Sequence, residues 1–259
     1  MTAATTVLKE LESLGTAQNR KVYSRHGVTG PAFGVSYAAL GTLRKRLGTD
    51  QALAEALWKS GNHDARVLAT MVADPAAISA KTLQAWMGET PNRVLADAVA
   101  RVAADSPHAA SYTAWIASKG EFVSVIGWTV VARIADTLAA DVARKLLATI
   151  ESNVHDAPNR TRHNMVMALI AIGSRGDALT DLAKAAAGRI GKVEVDHGDT
   201  SCKTPAPVPY IDKVLARRAK KKTPAAKAPA AATRTPAAKK PTKKATAKRA
   251  ALKKKSARS

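Results

Sequence analysis

Asp97 stands four residues from a basic side chain in each direction, Arg93 before it and Arg101 after it. A carboxylate fixed at the edge of an apolar helix face can stabilise an oxocarbenium-like positive charge by electrostatics alone. The same spacing also makes an ordinary helical ion pair. Both readings stand at this point. Arg160, Arg162 and His163, flanked by Asn159 and Asn164, precede a strongly apolar stretch. Basic side chains and free amides at a helix start suit a phosphate, or simply solvent. Arg44, Lys45 and Arg46 form a second basic cluster, and Arg20, Lys21 and Arg25 a third.

Other groups carry weaker chemistry. In His63-Asp64-Ala65-Arg66, Asp64 suits the first turn of a helix, and Arg66 reads as a structural ion-pair partner rather than a phosphate clamp. Asp196, His197, Asp199 and Cys202 have metal-ligand chemistry. The set is mixed, however, and no second His or Cys cluster supports it. A hydrogen-bonded loop holding the last helices is expected there, with no metal. Cys202 has no base assignable to it. Trp58, Trp86, Trp115 and Trp128 could stack against nucleotide sugars. Core packing is the favoured reading for all four, with Trp86 and Trp115 the better surface candidates.

The strongest charge signal lies at the C-terminus. Residues 217–259 carry 17 Lys and Arg, among them Arg217, Arg218, Lys220, Lys221 and Lys222, and no Asp or Glu. Built mostly from Lys, Ala, Pro and Thr, this stretch is expected to be a disordered polycation. Such a segment binds a polyanion by releasing condensed counterions, and nucleic acid is the obvious one. The whole chain is +21, but residues 1–216 hold 24 basic against 20 acidic residues. Any anion-binding surface on the body must therefore come from arrangement rather than net charge.

The elements that position these groups read as helix after helix. Val94, Leu95, Ala98, Val99 and Val102 share one face, as do Leu138, Val142, Leu146, Leu147 and Ile150. Leu179, Leu182, Ala183, Ala186 and Ile190 repeat the pattern. Residues 122–134 and 165–172 are apolar on nearly all sides and should be central. Asn62, Ser79 and Ser106-Pro107 read as helix starts. Gly48, Gly61, Gly120, Gly173 and Gly191 read as stops. No segment alternates with period two. Roughly ten helices in residues 1–216 are expected, as an all-α bundle or a HEAT/armadillo-like α-solenoid whose concave face could hold a duplex. A last short helix is expected from Pro209 or Tyr210 to about Arg218. No apolar stretch reaches membrane-spanning length. The first 15 residues do not read as a signal peptide, and a single cysteine fits a reducing compartment.

Three segments carry a family resemblance. The first runs from Ala56 through Trp58-Lys59-Ser60-Gly61-Asn62-His63-Asp64-Ala65-Arg66 to Ala69, closing at Asp74-Pro75. The second is Ala168-Leu169-Ile170-Ala171-Ile172-Gly173. The third, the most specific, is Ile190-Gly191-Lys192-Val193-Glu194-Val195-Asp196-His197-Gly198-Asp199-Thr200, continuing through Cys202-Lys203-Thr204-Pro205 to Tyr210-Ile211. Together they resemble the AlkD-like DNA alkylation repair family over roughly residues 5–215. The resemblance implies a HEAT-like superhelix cradling double-stranded DNA, and N-glycosylase chemistry on alkylated purines without metal or organic cofactor. It places the family's charge-stabilising acid at Asp97. The family's preceding aromatic position is Arg93 here and its first acid is Val94. A later basic position falls near Ser124 or Val125, and no Trp stands in 164–169. The departures imply either a glycosylase for other lesions or a DNA-binding protein without catalysis. A helical scaffold holding a peptide is a weaker alternative. A cytoplasmic, nucleoid-associated monomer that contacts no membrane is expected, with Arg44, Lys45, Arg46, Arg93, Arg160, Arg162 and the tail cations on DNA and Asp97 at the reacting sugar.

Overall fold

The computed structural model describes residues 3–222. The described residues form thirteen α-helices and two short 3-10 turns, with no strand among them. The first three helices are α1 (Ala3–Leu14), α2 (Ala17–Arg25) and α3 (Tyr37–Leu47). Five pairs follow: α4 and α5 (Gln51–Lys59, His63–Val72), α6 and α7 (Ala80–Gly88, Arg93–Asp105), α8 and α9 (Tyr112–Ile116, Glu121–Ile134), α10 and α11 (Ala140–Asn153, Asn159–Gly173), α12 and α13 (Leu179–Ile190, Pro207–Lys222). The 3-10 turns are Ala109–Ser111 before α8 and Ala135–Thr137 after α9.

Helix starts follow side-chain chemistry. The Asn62 side-chain oxygen Oδ1 accepts from the amides of Asp64 and Ala65, and the side chains of Ser79, Asp50 and Asn92 cap α6, α4 and α7 in the same way. Two signals played other roles. Ser106 ends α7 instead of starting a helix, and Gly120 precedes α9 as its N-cap. Gly173 is the last residue of α11, as expected for a stop, and a Cβ there would meet Ile211 Cδ1 at 2.6 Å and Ala183 Cβ at 2.8 Å. It is a packing residue that lets α12 and α13 close on α11.

The second members of the pairs line up as an inner row. In it α5 packs on α7, α7 on α9, α9 on α11 and α11 on α13, while each first member packs behind its partner. This is the two-row, HEAT-like solenoid arrangement. The centre is α9 and α11, which bury Val125, Ile126, Trp128, Val130 and Val131 against Met165, Ala168, Leu169 and Ile172. A helix apolar all round has no face to give to solvent, so it takes the middle of the array.

Gly127 sets one close approach. A Cβ there would stand 2.6 Å from the Ile116 backbone nitrogen. Gly127→Ala gains about 1 kcal/mol of helix propensity but forces α8 off α9, an overpacking cost of about 1–3 kcal/mol. The variant should be no more stable than wild type, and most simply about 1 kcal/mol less so, in urea unfolding. A clear rise in stability would show that α8 yields without cost.

The C-terminal helix departs from expectation at both ends. It opens at Pro207, since Pro207 and Pro209 both fall in the first turn, where amides have no intrahelical acceptor. It continues through Lys222 because no breaker intervenes before Thr223-Pro224. Residues 217–222, expected in the disordered tail, are therefore helical. The rest of the expected tail, residues 223–259, lies outside the described residues.

Candidate nucleic-acid interface

Asp97 is half-buried on α7, one step off the buried stripe of Leu95, Ala98, Val99 and Val102. Its Oδ2 pairs with Arg93 Nη1 at 3.3 Å. Burial pushes its carboxyl above the usual range, while Arg93, Arg101 and Arg160 act in the opposite direction. The side chain lines a cavity of about 450 Å³ between α7, α9, α11 and α13. A second cavity of about 350 Å³ lies beside it and is lined by Arg93, His197, Cys202 and Lys203. His163, Met167 and Tyr210 belong to both, so the two cavities adjoin and together make up the groove. Tyr37, exposed at the start of α3, feels the charges of Arg101, Asp97 and Arg93 and so borders the same region.

A chain of hydrogen bonds organises the groove's floor. Arg160 Nη1 lies 3.2 Å from His197 Nδ1, His197 Nε2 lies 3.0 Å from Thr204 Oγ1, and His163 Nδ1 lies 3.0 Å from the same oxygen. Burial, assisted by neighbouring positive charge, lowers both histidines, His163 to about 4. Both rings are therefore neutral near pH 7. Arg160 can only donate, so His197 Nδ1 accepts and its Nε2 carries the proton given to Thr204. The Thr204 hydroxyl then donates to His163 Nδ1. His163 is left with Nε2–H as its free donor.

The 193–205 loop is tied to α11 by matched bonds. Asn159 Nδ2 donates to the Asp196 carbonyl at 2.8 Å, and the Asp196 amide donates to Asn159 Oδ1 at 2.7 Å. No cluster of three His, Cys, Asp or Glu with metal-holding geometry occurs among the described residues.

Several expected DNA contacts are placed elsewhere. The α11 N-terminus is not open to phosphate, because Glu121 Oε1 accepts from the Arg160 amide at 2.6 Å. Arg162 donates to the carbonyls of Ala157 at 2.7 Å and Glu194 at 3.3 Å, which makes it a loop anchor. Arg44, Lys45 and Arg46 are exposed on the last turn of α3, about 12 Å along that helix from Tyr37. Arg46 pairs with Glu10 of α1. Arg218 holds Asp136 with two bonds, at 3.1 and 3.3 Å, at the end of the larger cavity. Arg217 and Lys220 are exposed on α13, which also carries Lys221 and Lys222.

All four tryptophans are in the core, including Trp86 and Trp115, at 3% and 7% exposure. Trp58 and Trp86 stack with centroids 4.5 Å apart, and Arg66 lies 4.9 Å from the Trp58 ring. The Glu89 carboxylate accepts from Trp58 Nε1 at 2.9 Å and from Arg66 at 2.8 Å. Arg66 and Glu89 thus lock two helix pairs together and are unavailable to the groove.

Sequence reasoning missed Thr129, Met167 and Lys203 as groove residues. One signal pointed to Met167. Asn164, Met167 and Ala171 fall at i, i+3 and i+7 on a helix otherwise apolar all round, so a lone amide on that stripe marks a cavity wall.

A model of the family described as "DNA alkylation repair enzyme" matches residues 7–185, more than half the chain. Lin0241 of Listeria innocua and Lmo0209 of Listeria monocytogenes, both uncharacterised, are each 26% identical over 215 residues, covering 80% of this chain and 95% of their own. The fold is also similar to a solved structure described as "a new family of proteins related to the HEAT-like repeat DNA glycosylases with affinity for branched DNA structures". The TM-score is 0.76 at 28% identity, covering 84% of this chain and 95% of that one. No described helix is long and apolar enough to cross a membrane. The inner-row groove around Asp97, the HEAT-like pairing of helices and the match over residues 7–185 agree: this chain belongs to the DNA alkylation repair enzyme family.

Proposed function

We propose that this protein binds DNA in the inner-row groove, recognises branched or distorted duplexes, and does not excise bases. The observation that carries this reading is the state of Asp97. Its charge is closed into an ion pair with Arg93, at the position where the resemblance places an aromatic residue. Every indole is in the core, so no tryptophan flanks that acid to grip a nucleotide. What the groove does offer is cations. Arg93, Arg101 and Arg160 surround Asp97 and Lys203 lines the adjoining cavity. Cations position phosphates without demanding a base sequence. The affinity for branched DNA in the description of the similar structure supports the same direction. A nucleoid-associated location follows from this reading.

The test pairs binding with chemistry. Full-length protein should bind a three-way junction more tightly than a linear duplex of equal length. It should release no base from methylated duplex above the uncatalysed rate. Arg101→Ala and Arg160→Ala should each weaken binding across all sequences and reduce the salt slope by about one unit. Base release that vanishes in Asp97→Asn would replace this reading with the glycosylase one. Unchanged binding in both arginine variants would move the interface elsewhere.

A further inference from the structure

Two residues that line the larger cavity each carry a polar atom that the fold leaves unsatisfied. Asn164 Oδ1 and Ser174 Oγ are buried without a hydrogen-bond partner, in residues only 6% and 3% exposed. Both residues line the 450 Å³ cavity. A buried polar atom left unpaired is costly, so such a pair marks a place where a ligand can complete the bonding. The orientation of Asn164 is settled by its neighbour. Thr129 Oγ1 donates to the Val125 carbonyl at 2.8 Å, so it can only accept from Asn164, at 2.7 Å. The group facing Thr129 is therefore the amide NH2, and the unpaired atom is the acceptor oxygen.

The two orphans lie ten residues apart on α11, about 15 Å along the helix axis, so one small planar ligand reaches only one of them. The Asn164 end is the one that meets the cationic groove. There Asp97 and Thr129 line the wall, His163 offers its Nε2–H, and Met167 and Tyr210 lead into the second cavity beside Arg93 and Lys203. The walls between are apolar, with Ala132 from α9 and Met167 from α11. The volume falls within the roughly 300–1,000 Å³ of small-molecule sites.

We propose that this cavity accepts one unpaired nucleobase from DNA held in the groove. Its edge would pair with Asn164 Oδ1 and His163 Nε2–H, and its own phosphate would rest on Arg93 and Lys203. This rests on the DNA-binding reading above. A cytosine or adenine edge has the matching pattern, an amino donor beside a ring-nitrogen acceptor. A base already unpaired at a branch point enters without paying to break a base pair. The cavity thereby gives the groove a reason to prefer branched DNA to continuous duplex.

The experiment compares full-length protein on two three-way junctions, identical except at one branch-point residue. One carries an unpaired cytosine and the other an abasic sugar. The cytosine junction should bind about tenfold more tightly, the scale of one sequestered base. Asn164→Leu removes the acceptor and keeps the same branched side-chain skeleton, and Ala132→Phe fills the cavity. Each should abolish the difference between the two junctions. Equal wild-type affinity for the two junctions overturns the inference without touching the DNA-binding reading, and needs no variant to do so. A folded variant that keeps the tenfold preference also overturns it. Failure of wild type to bind either junction or duplex overturns both.

Discussion

Ending the chain at Lys222 will flatten the plot of log affinity against log salt by about nine units. Residues 223–259 carry 12 Lys and Arg with no acid among them. If about ten of these meet phosphates, each contributes about 0.9 to the slope. A single groove arginine changes it by about one, so no substitution in the body can imitate the truncation. The cut belongs after Lys222 because α13 runs that far and Arg218 is bonded to Asp136. The shortened protein should melt cooperatively at nearly the full-length midpoint. Salt titrations of duplex binding measure the slope. Equal slopes would show that these cations do not contact DNA.

Asp64→Ala will lower stability by about 4 kcal/mol, a drop on the order of 10 °C in melting temperature for a domain of this size. Asp64 is fully buried, and its two oxygens accept from the amides of Phe33, Gly34 and Val35 at 2.7, 3.0 and 2.8 Å. Alanine would leave three amide donors, those of Gly34 and Val35 buried and that of Phe33 part-buried, with no acceptor. Gly34 has φ +82°, and a Cβ there would strike the Thr16 carbonyl oxygen at 2.4 Å, so the loop cannot easily fold another way. Hydrogen exchange should show the three amides losing protection together. Asp64→Asn keeps one acceptor oxygen and should fall between wild type and alanine. A loss below about 1 kcal/mol would mean that the loop holds itself.

Asp64 also marks the limit of what the sequence tells. Its place in the first turn of a helix was readable, but its partners stand about 30 residues earlier, on a loop with no periodic pattern. Glu121 is a similar case, since nothing local says that a residue opening α9 will cap α11. The helices themselves were legible because apolar spacing is local, and α9 and α11 announced their central position by being apolar all round. Asp97 was legible as a stripe-edge acid, and its partner Arg93 as one of two spaced correctly. Core packing, the favoured reading for all four tryptophans, holds even for Trp86 and Trp115 near helix ends, and Trp86 stacks on Trp58 of the preceding pair. The start of α13 was misplaced because a proline breaks a helix interior but not its first turn.

The order of the inner row bears on how the cavity opens. Each inner helix leans chiefly on its neighbours, so the array resembles a one-dimensional stack whose members can separate from the ends. The last member is α13, held through Ile211, Val208 and Leu215, by Lys184–Asp212, and by Arg218 on Asp136. It is also the helix that brings Tyr210 and Val214 to the cavity. Undocking it breaks only one face of contacts, whereas moving α9 would break two. The cavity's least anchored wall is thus its terminal one, and its opening rate is set by a local event that leaves the rest of the stack folded.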